Sequence, residues 1–266
     1  MESSSIEDRV GREKIAHDED GVLEAAIKLK GRFPHVMLSP TMQRCEAEER
    51  RILSDVSGKK VLDIGCGFGE KSLWLARNGA MVNGIDISDT YVAFARREAE
   101  ISSISESCTF EVMDAHALAF SDNYFDFVVG RGIIHHLDIE ACMLEMMRVL
   151  KPGGRAIFLE PLADNPLLKL FRKLTPSART DDEKPLDASD LQWIKNYWQV
   201  ESSYFGFISA PIAMMTSVLI RPFPNNLLLQ WSDKFEERCN SRVEAFQKYN
   251  QFVLLNLVKK GSSDSS

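Results

Sequence analysis

Residues Val61–Glu70 read VLDIGCGFGE: three apolar residues around an aspartate, then glycines at 65, 67 and 69. Glycine in regular structure costs roughly 0.5–1 kcal/mol relative to alanine, so three at alternate positions mark a tight corner that something approaches closely. A dinucleotide fingerprint, G-x-G-x-x-G, would need its third glycine at position 70, where Glu70 stands. A carboxylate at the start of a helix suits a pyrophosphate poorly, because that end of the helix is built to face negative charge. No G-K-[ST] follows, so a phosphate-binding loop is excluded as well.

Outward from this corner the chain alternates. Strand-like KVLDIG leads to a helical EKSLWLARNGA closed by Gly79, and MVNGIDIS leads to DTYVAFARREAEISS. CTFEVMDA, FDFVVGRG, the helical IEACMLEMMRVL, a turn KPGG and the strand RAIFLEP follow. Strands alternating with helices of this length predict right-handed βαβ units and a parallel sheet. Before the corner, Gly21–Lys30 has helical spacing and FPHVMLSP breaks it at Pro34 and Pro40. A second helix is expected over about Thr41–Asp55, with Thr41 as its cap and Arg44, Glu48 and Arg51 at helical spacing. After Glu160 come four prolines and two helical patterns, a strand QVESSYFGFISA, an apolar then amphipathic region to Gln251, and a last strand FVLLNLVKK. The division expected is an N-terminal helical lid over 1–57 and an α/β core over 58–160. Residues 161–260 would complete the sheet and carry cap insertions, and 261–266 would be a disordered tail.

Three carboxylates stand where three successive strands end. Asp63 lies inside the first strand and needs a cationic ligand or backbone donors. Asp86 comes 21 residues after Gly65, the spacing of an acid that accepts from ribose hydroxyls. Asp114 is placed to accept from an adenine amino group. A ligand with a sugar, an amino-purine and a positive charge fits this set.

That description is S-adenosylmethionine (SAM), and the ordered motifs VLDIGCGFGE, GIDIS, VMDAHALAF, FDFVVGRGIIHHL and MMRVLKPGGRAIFLEP resemble the class I SAM-dependent methyltransferases over roughly residues 58–160. The likeness is to the small-molecule branch, including quinone-ring C-methyltransferases and bacterial natural-product enzymes of secondary metabolism. It implies an α/β fold with a Rossmann-like, mostly parallel seven-stranded sheet, helices on both faces and helical lid or cap insertions. It also implies that Asp63, Gly65, Cys66, Gly67 and Gly69 hold the methionine moiety, and that Asp86 takes the ribose with Ile87 against the adenine. Asp114 and Ala115 would meet the adenine edge, and Gly130 would offer its carbonyl to the methionine amino group. The activity implied is of the EC 2.1.1 type, with SAM as co-substrate. The alternatives are an NAD(P)-dependent oxidoreductase on a similar sheet and a non-catalytic SAM-binding protein.

Methyl transfer from a sulfonium is an in-line displacement that needs alignment, exclusion of water and, for some acceptors, a base. His135 and His136, in GRGIIHHLD, are candidates for the base or else orient the loop. Glu160 ends the fifth strand and reads as facing the same cavity, to accept a proton or to form a salt bridge with the lid. Arg131 would bind an acidic substrate or pair with a local carboxylate. No [DNS]-P-P-[FYW] follows the fourth strand, which argues against methylation of DNA bases or glutamine. The net charge of −7 argues against nucleic acid in general, and the basic cluster Lys169–Lys173 reads as a solvated helix face. Five cysteines without a C-x-x-C indicate neither disulfides nor zinc, and no metal is expected. Leu167, Leu168, Phe171, Trp193, Trp198, Tyr204, Phe205, Phe207, Met214 and Met215 crowd the two long insertions, which suits an apolar or aromatic acceptor. The N-terminus has no apolar core of a signal peptide, and Ser202–Ile220, uncharged but broken by Gly206 and Pro211, is read as no stable membrane span. A cytoplasmic location is expected, with peripheral membrane contact and a homo-oligomer left open.

Overall fold

The computed structural model describes residues 10–11, 14, 34–166, 169, 184–219 and 225–259. Seven strands form one sheet: β1 Lys60–Ile64, β2 Met81–Asp86, β3 Cys108–Val112, β4 Phe125–Arg131, β5 Leu150–Pro161, β6 Trp198–Phe205 and β7 Phe252–Lys259. Their order is β3-β2-β1-β4-β5-β7-β6, with β1 to β5 parallel and β7 antiparallel to both β5 and β6. The expected α/β class with a mostly parallel seven-stranded sheet is what the chain adopts.

The chemistry of each strand explains its place. Val61, Leu62, Asp63 and Ile64 are all buried, as a central parallel strand covered on both faces requires. Two apolar layers result. One packs Leu73, Leu75, Val92 and Ala95 against Val61 and Val129, from helices α3 (Glu70–Arg77) and α4 (Asp89–Ile101). The other sets Cys142, Met143 and Met146 of α5 (Ile139–Val149) on Leu62, Val128 and Phe158. Ser88 and Asp138 cap α4 and α5 by accepting from Tyr91 N and Ala141 N. The chain leaves β1 toward β2 on one side while β4 pairs on the other, so a crevice opens at the carboxyl ends of β1 and β4.

Pro34 and Pro40 each open a helix, α1 (Pro34–Leu38) and α2 (Pro40–Ile52), since the missing N–H of proline costs nothing in a first turn; the helical pattern they were expected to break, Gly21–Lys30, falls outside the described residues. Three expectations change. Ser39, not Thr41, caps α2 by accepting from Met42 N, and Thr41 is buried within the helix. KPGG is not a separate turn: β5 already begins at Leu150, paired with Phe125, and a register shift absorbs the glycines before pairing resumes at Arg155. β3 ends at Val112, so Asp114 sits two residues past it.

The C-terminal half adds α6 (Ala188–Tyr197), with Asp187 and Asp190 as a capping box, then α7 (Ser209–Leu219) and α8 (Leu227–Arg242). The helical pattern at Gly21–Lys30, the aromatic and leucine residues Leu167, Leu168 and Phe171, most of the basic cluster Lys169–Lys173 and the tail 261–266 lie outside the described residues.

Candidate active site

The turn between β1 and α3 is built from two kinds of glycine. A side chain at Gly65 would lie 2.7 Å from Ile133, so that position serves packing. Gly67, with φ +52°, has nothing within 4 Å of where its Cβ would be: it faces an open cleft. Gly67 N donates to Asp86 Oδ2 at 2.8 Å and Ser88 N to Asp86 Oδ1 at 3.0 Å. Two backbone donors thus hold the carboxylate of Asp86 in one orientation at the cleft wall.

The cleft is lined by the segments that follow β1, β2, β3 and β4. Asp86, Ile87, Asp114 and Ala115 form one side, and Gly132, Ile133, His136 and Leu137 the other. Asp114 Oδ1 accepts from His116 N at 2.9 Å and pairs with His116 Nδ1 at 2.6 Å. Asp138 N donates to His116 Nε2 at 3.0 Å, so in the neutral ring the proton is on Nδ1, which donates to Asp114. Burial raises the Asp114 pKa, but the His116 donors outweigh it and leave the carboxyl below its ordinary value. Val10 reaches the cleft from the N-terminal segment, and Lys14 Nζ donates to Ile87 O at 3.0 Å and to Asp89 Oδ2 at 2.5 Å.

Gly65 also borders a second, more polar cleft with Glu49, Asp63, Cys66, Lys71 and Arg131. Lys71 Nζ donates to Gly130 O at 3.3 Å and to Glu49 Oε1 at 2.5 Å, while Arg131 donates to Glu49 Oε2 at 2.6 Å. Glu49, on α2, is therefore clamped by two cations over the carboxyl ends of the central strands β1 and β4. Burial pushes its pKa up, and Lys71 and Arg131 more than reverse that, leaving it below the ordinary value. Asp63 is buried and accepts from Ser72 Oγ at 2.5 Å. Burial dominates there, and despite Lys71 and Ser72 its pKa is raised to about 6. Burial likewise pushes the Cys66 thiol well above its ordinary value, so it is no nucleophile.

His135 and Glu160 meet, but beneath the cleft rather than in it. Glu160 is fully buried; its Oε1 accepts from Ile133 N at 3.0 Å and Ile134 N at 3.1 Å, and its Oε2 lies 2.8 Å from His135 Nδ1. The expectation that Glu160 faces the cavity is thus corrected: three polar contacts to one loop absorb it. His136 does line the cleft, its ring centroid 4.1 Å from that of His135. Arg131 takes the local-carboxylate option, through Glu49. Glu49, Lys71 and His116 were not foreseen; only Lys71, one residue inside the helix after the glycines, had a position that could have flagged it. Among the described residues no group of three or more His, Cys, Asp or Glu could hold a metal, and no helix is long and apolar enough to cross a membrane.

Residues 62–158 match the family described as "Methyltransferase domain". The chain is 36% identical over 121 residues to the ubiquinone/menaquinone biosynthesis C-methyltransferase UbiE of Geobacter sulfurreducens, covering 44% of this chain and 46% of that protein. It is 30% identical over 196 residues to the S-adenosyl-L-methionine-dependent Diels-Alderase iccD of Talaromyces variabilis, covering 71% of this chain and 61% of that one. The structure superposes with a TM-score of 0.58 at 16% identity on geranyl diphosphate C-methyltransferase from Streptomyces coelicolor, solved with geranyl diphosphate and S-adenosyl-L-homocysteine, over 82% of each chain. The chain spans 37% to 61% of the length of the first three curated relatives it matches. The likeness to methyltransferases by family is concentrated in residues 62–158.

Proposed function

We propose that the chain transfers a methyl group from SAM to a small lipophilic or aromatic acceptor of secondary metabolism. The observation that carries this is the pair of clefts meeting at Gly65, one suited to a nucleoside and the other to an amino acid. In the first, Asp86 would accept from the ribose hydroxyls, with Ile87 and Ala115 against the adenine and Asp114 at its edge. In the second, Asp63, the turn Gly65–Gly69 with Cys66, and the Gly130 carbonyl would receive the methionine end. Lys71 now holds that carbonyl with an ammonium of its own, which supports a cation site there. The N-terminal helices would serve as the lid. Glu70 at the head of α3 and the family match both favour methyl transfer over hydride transfer.

His136 is the residue proposed to touch the acceptor, since it borders the cleft. His135 and Glu160 would be positioning residues beneath it. With Glu160 accepting, His135 Nδ1 carries the proton in the neutral ring, which fixes the ring plane against His136. A second reading has its own support: the likeness to the Diels-Alderase extends well beyond residues 62–158. There SAM would bind without giving up its methyl.

Calorimetry with SAM, S-adenosylhomocysteine and NAD is the first test, with binding of both sulfur ligands and not of NAD expected. No heat with either sulfur ligand would overturn the reading. Incubation with methyl-labelled SAM and candidate lipophilic acceptors then separates transfer, which leaves labelled product, from cyclisation, which leaves SAM intact.

A further inference from the structure

The helices of the C-terminal cap are built inside out. A helix on a protein surface ordinarily turns its apolar stripe inward. On α8, Ser232, Asp233 and Glu236 are buried beside Leu229, while Leu227, Leu228, Trp231 and Phe235 face solvent, with exposures of 81%, 46%, 60% and 39%. The buried side has a polar task. Glu236 accepts from Gly206 N at 2.9 Å and Ser209 N at 3.1 Å, closing the start of α7, and Asp233 takes a bidentate bond from Arg44 of α2. The neighbouring α7 repeats the inversion: Thr216 and Ser217 are buried against His35 of α1, and Met215, Val218 and Leu219 are exposed. Hydrogen bonds therefore fix both helices to the protein, and their bulky apolar side chains are left outside.

The charge on this outer face has one sign. Along α8, Lys234, Arg238 and Arg242 follow Leu227, Trp231 and Phe235 on the same side, at helical spacing, and all three are exposed. From Ser202 to Ser232 the sequence holds a single charge, Arg221, and no acid, in a chain whose net charge is −7. Asp233 and Glu236 are turned inward on Arg44, and Glu237 lies at the flank of the stripe. Against a second copy of itself the stripe would set like charges together with few acids to meet them. A negatively charged surface with an apolar interior meets both halves of the pattern, the leucines in the acyl boundary and Trp231 with the cations at the headgroups.

We propose that the outer face of α7 and α8 is a docking surface for an anionic phospholipid bilayer. Trp231 enters the headgroup layer, Leu227 and Leu228 the acyl boundary below it, and the basic turn at Lys234, Arg238 and Arg242 sets the orientation. The rest of the acidic chain is held away from the lipid by repulsion. This contact stands apart from the reaction assigned to the clefts, because it uses none of their residues.

The test is co-sedimentation of the full chain with vesicles of phosphatidylcholine alone, and of equal parts phosphatidylcholine and phosphatidylglycerol. The chain should pellet with the mixed vesicles, release with added salt, and show a blue shift of emission that a Trp231→Phe variant lacks. Removing a cation should weaken binding about fivefold, so Lys234→Gln with Arg238→Gln should lose roughly 25-fold. Leu228→Ser with Trp231→Ser should lose more than tenfold. Both pairs are surface changes, and an unchanged melting temperature is the check on their folding. No pelleting with mixed vesicles, or equal pelleting of all variants, would overturn the proposal. So would a dimer in sedimentation velocity that Leu228→Ser with Trp231→Ser dissolves while wild type ignores vesicles.

Discussion

The raised pKa of Asp63 makes binding at the second cleft depend on pH in a direction opposite to that of the empty protein. In the empty protein its value of about 6 lies above the ordinary 3.8 because burial opposes the charge. The cost of ionising it is therefore absent below pH 3.8, grows through the interval and is complete above about 6, about 3 kcal/mol in all. A cationic ligand beside the carboxylate reverses that preference, because it binds the ionised form. At about pH 5 roughly one molecule in ten carries the ionised carboxylate, and at about pH 7.5 nearly all do, so SAM affinity should rise about tenfold between them. Calorimetry in two buffers of different protonation enthalpy reads both parts: the affinity, and the release of close to one proton per ligand at the lower pH. Asp63→Asn keeps the shape and a partner for Ser72, so it should bind weakly at both pH values and release no proton through this site. An affinity for the wild type that is flat over this range, or a slope that survives in Asp63→Asn, would refute the role given to Asp63.

Glu49→Gln leaves Lys71 and Arg131 without their shared carboxylate; we expect a loss of about 2 kcal/mol, read as a fall of roughly 4–8 °C in melting temperature. The same carboxylate, held below its ordinary 4.5, lends stability that is complete above that value and is lost as pH falls through the lowered one, so acid should erase the difference between Glu49→Gln and wild type. Gly67→Ala meets no atom within 4 Å but keeps a left-handed φ of +52°, so it should cost only about 1 kcal/mol of stability while SAM affinity, by calorimetry, falls at least tenfold. His116→Ala removes the link from Asp114 to Asp138 N and should weaken SAM about five- to tenfold, with a stability loss of about 1–2 kcal/mol by denaturant unfolding.

The sheet was legible because parallel strands advertise themselves. Val61, Leu62 and Ile64 must be apolar because β1 is covered on both faces, and the helices between strands carry their own caps at Ser88 and Asp138. Asp86 was legible for the same reason: the end of β2 is fixed once β1 and α3 are. The cluster around Glu49 was not. Its partners Lys71 and Arg131 are 22 and 82 residues away, and a charged residue on an N-terminal helix reads, alone, as solvated. Pro34 and Pro40 open helices that a reading of them as breaks leaves out, since a proline that cannot continue one helix can begin the next.

Glu160 shows where strand logic stops. Its position at the carboxyl end of β5 is where a parallel sheet offers side chains to a ligand. β5 runs on to Pro161, however, and its last residues pair with Phe252 and Val253 of β7, so the strand end is already covered. The loop after β4 then folds under, and Ile133 N, Ile134 N and His135 converge on the carboxylate. A carboxylate so engaged would be costly to strip and expose. What reaches the cleft is the outer neighbour, His136, carried by a loop whose conformation Glu160 sets. The chemistry proposed for this site therefore passes from a buried acid through backbone geometry to a histidine at the wall, and the identity of position 160 matters to the reaction only through that loop.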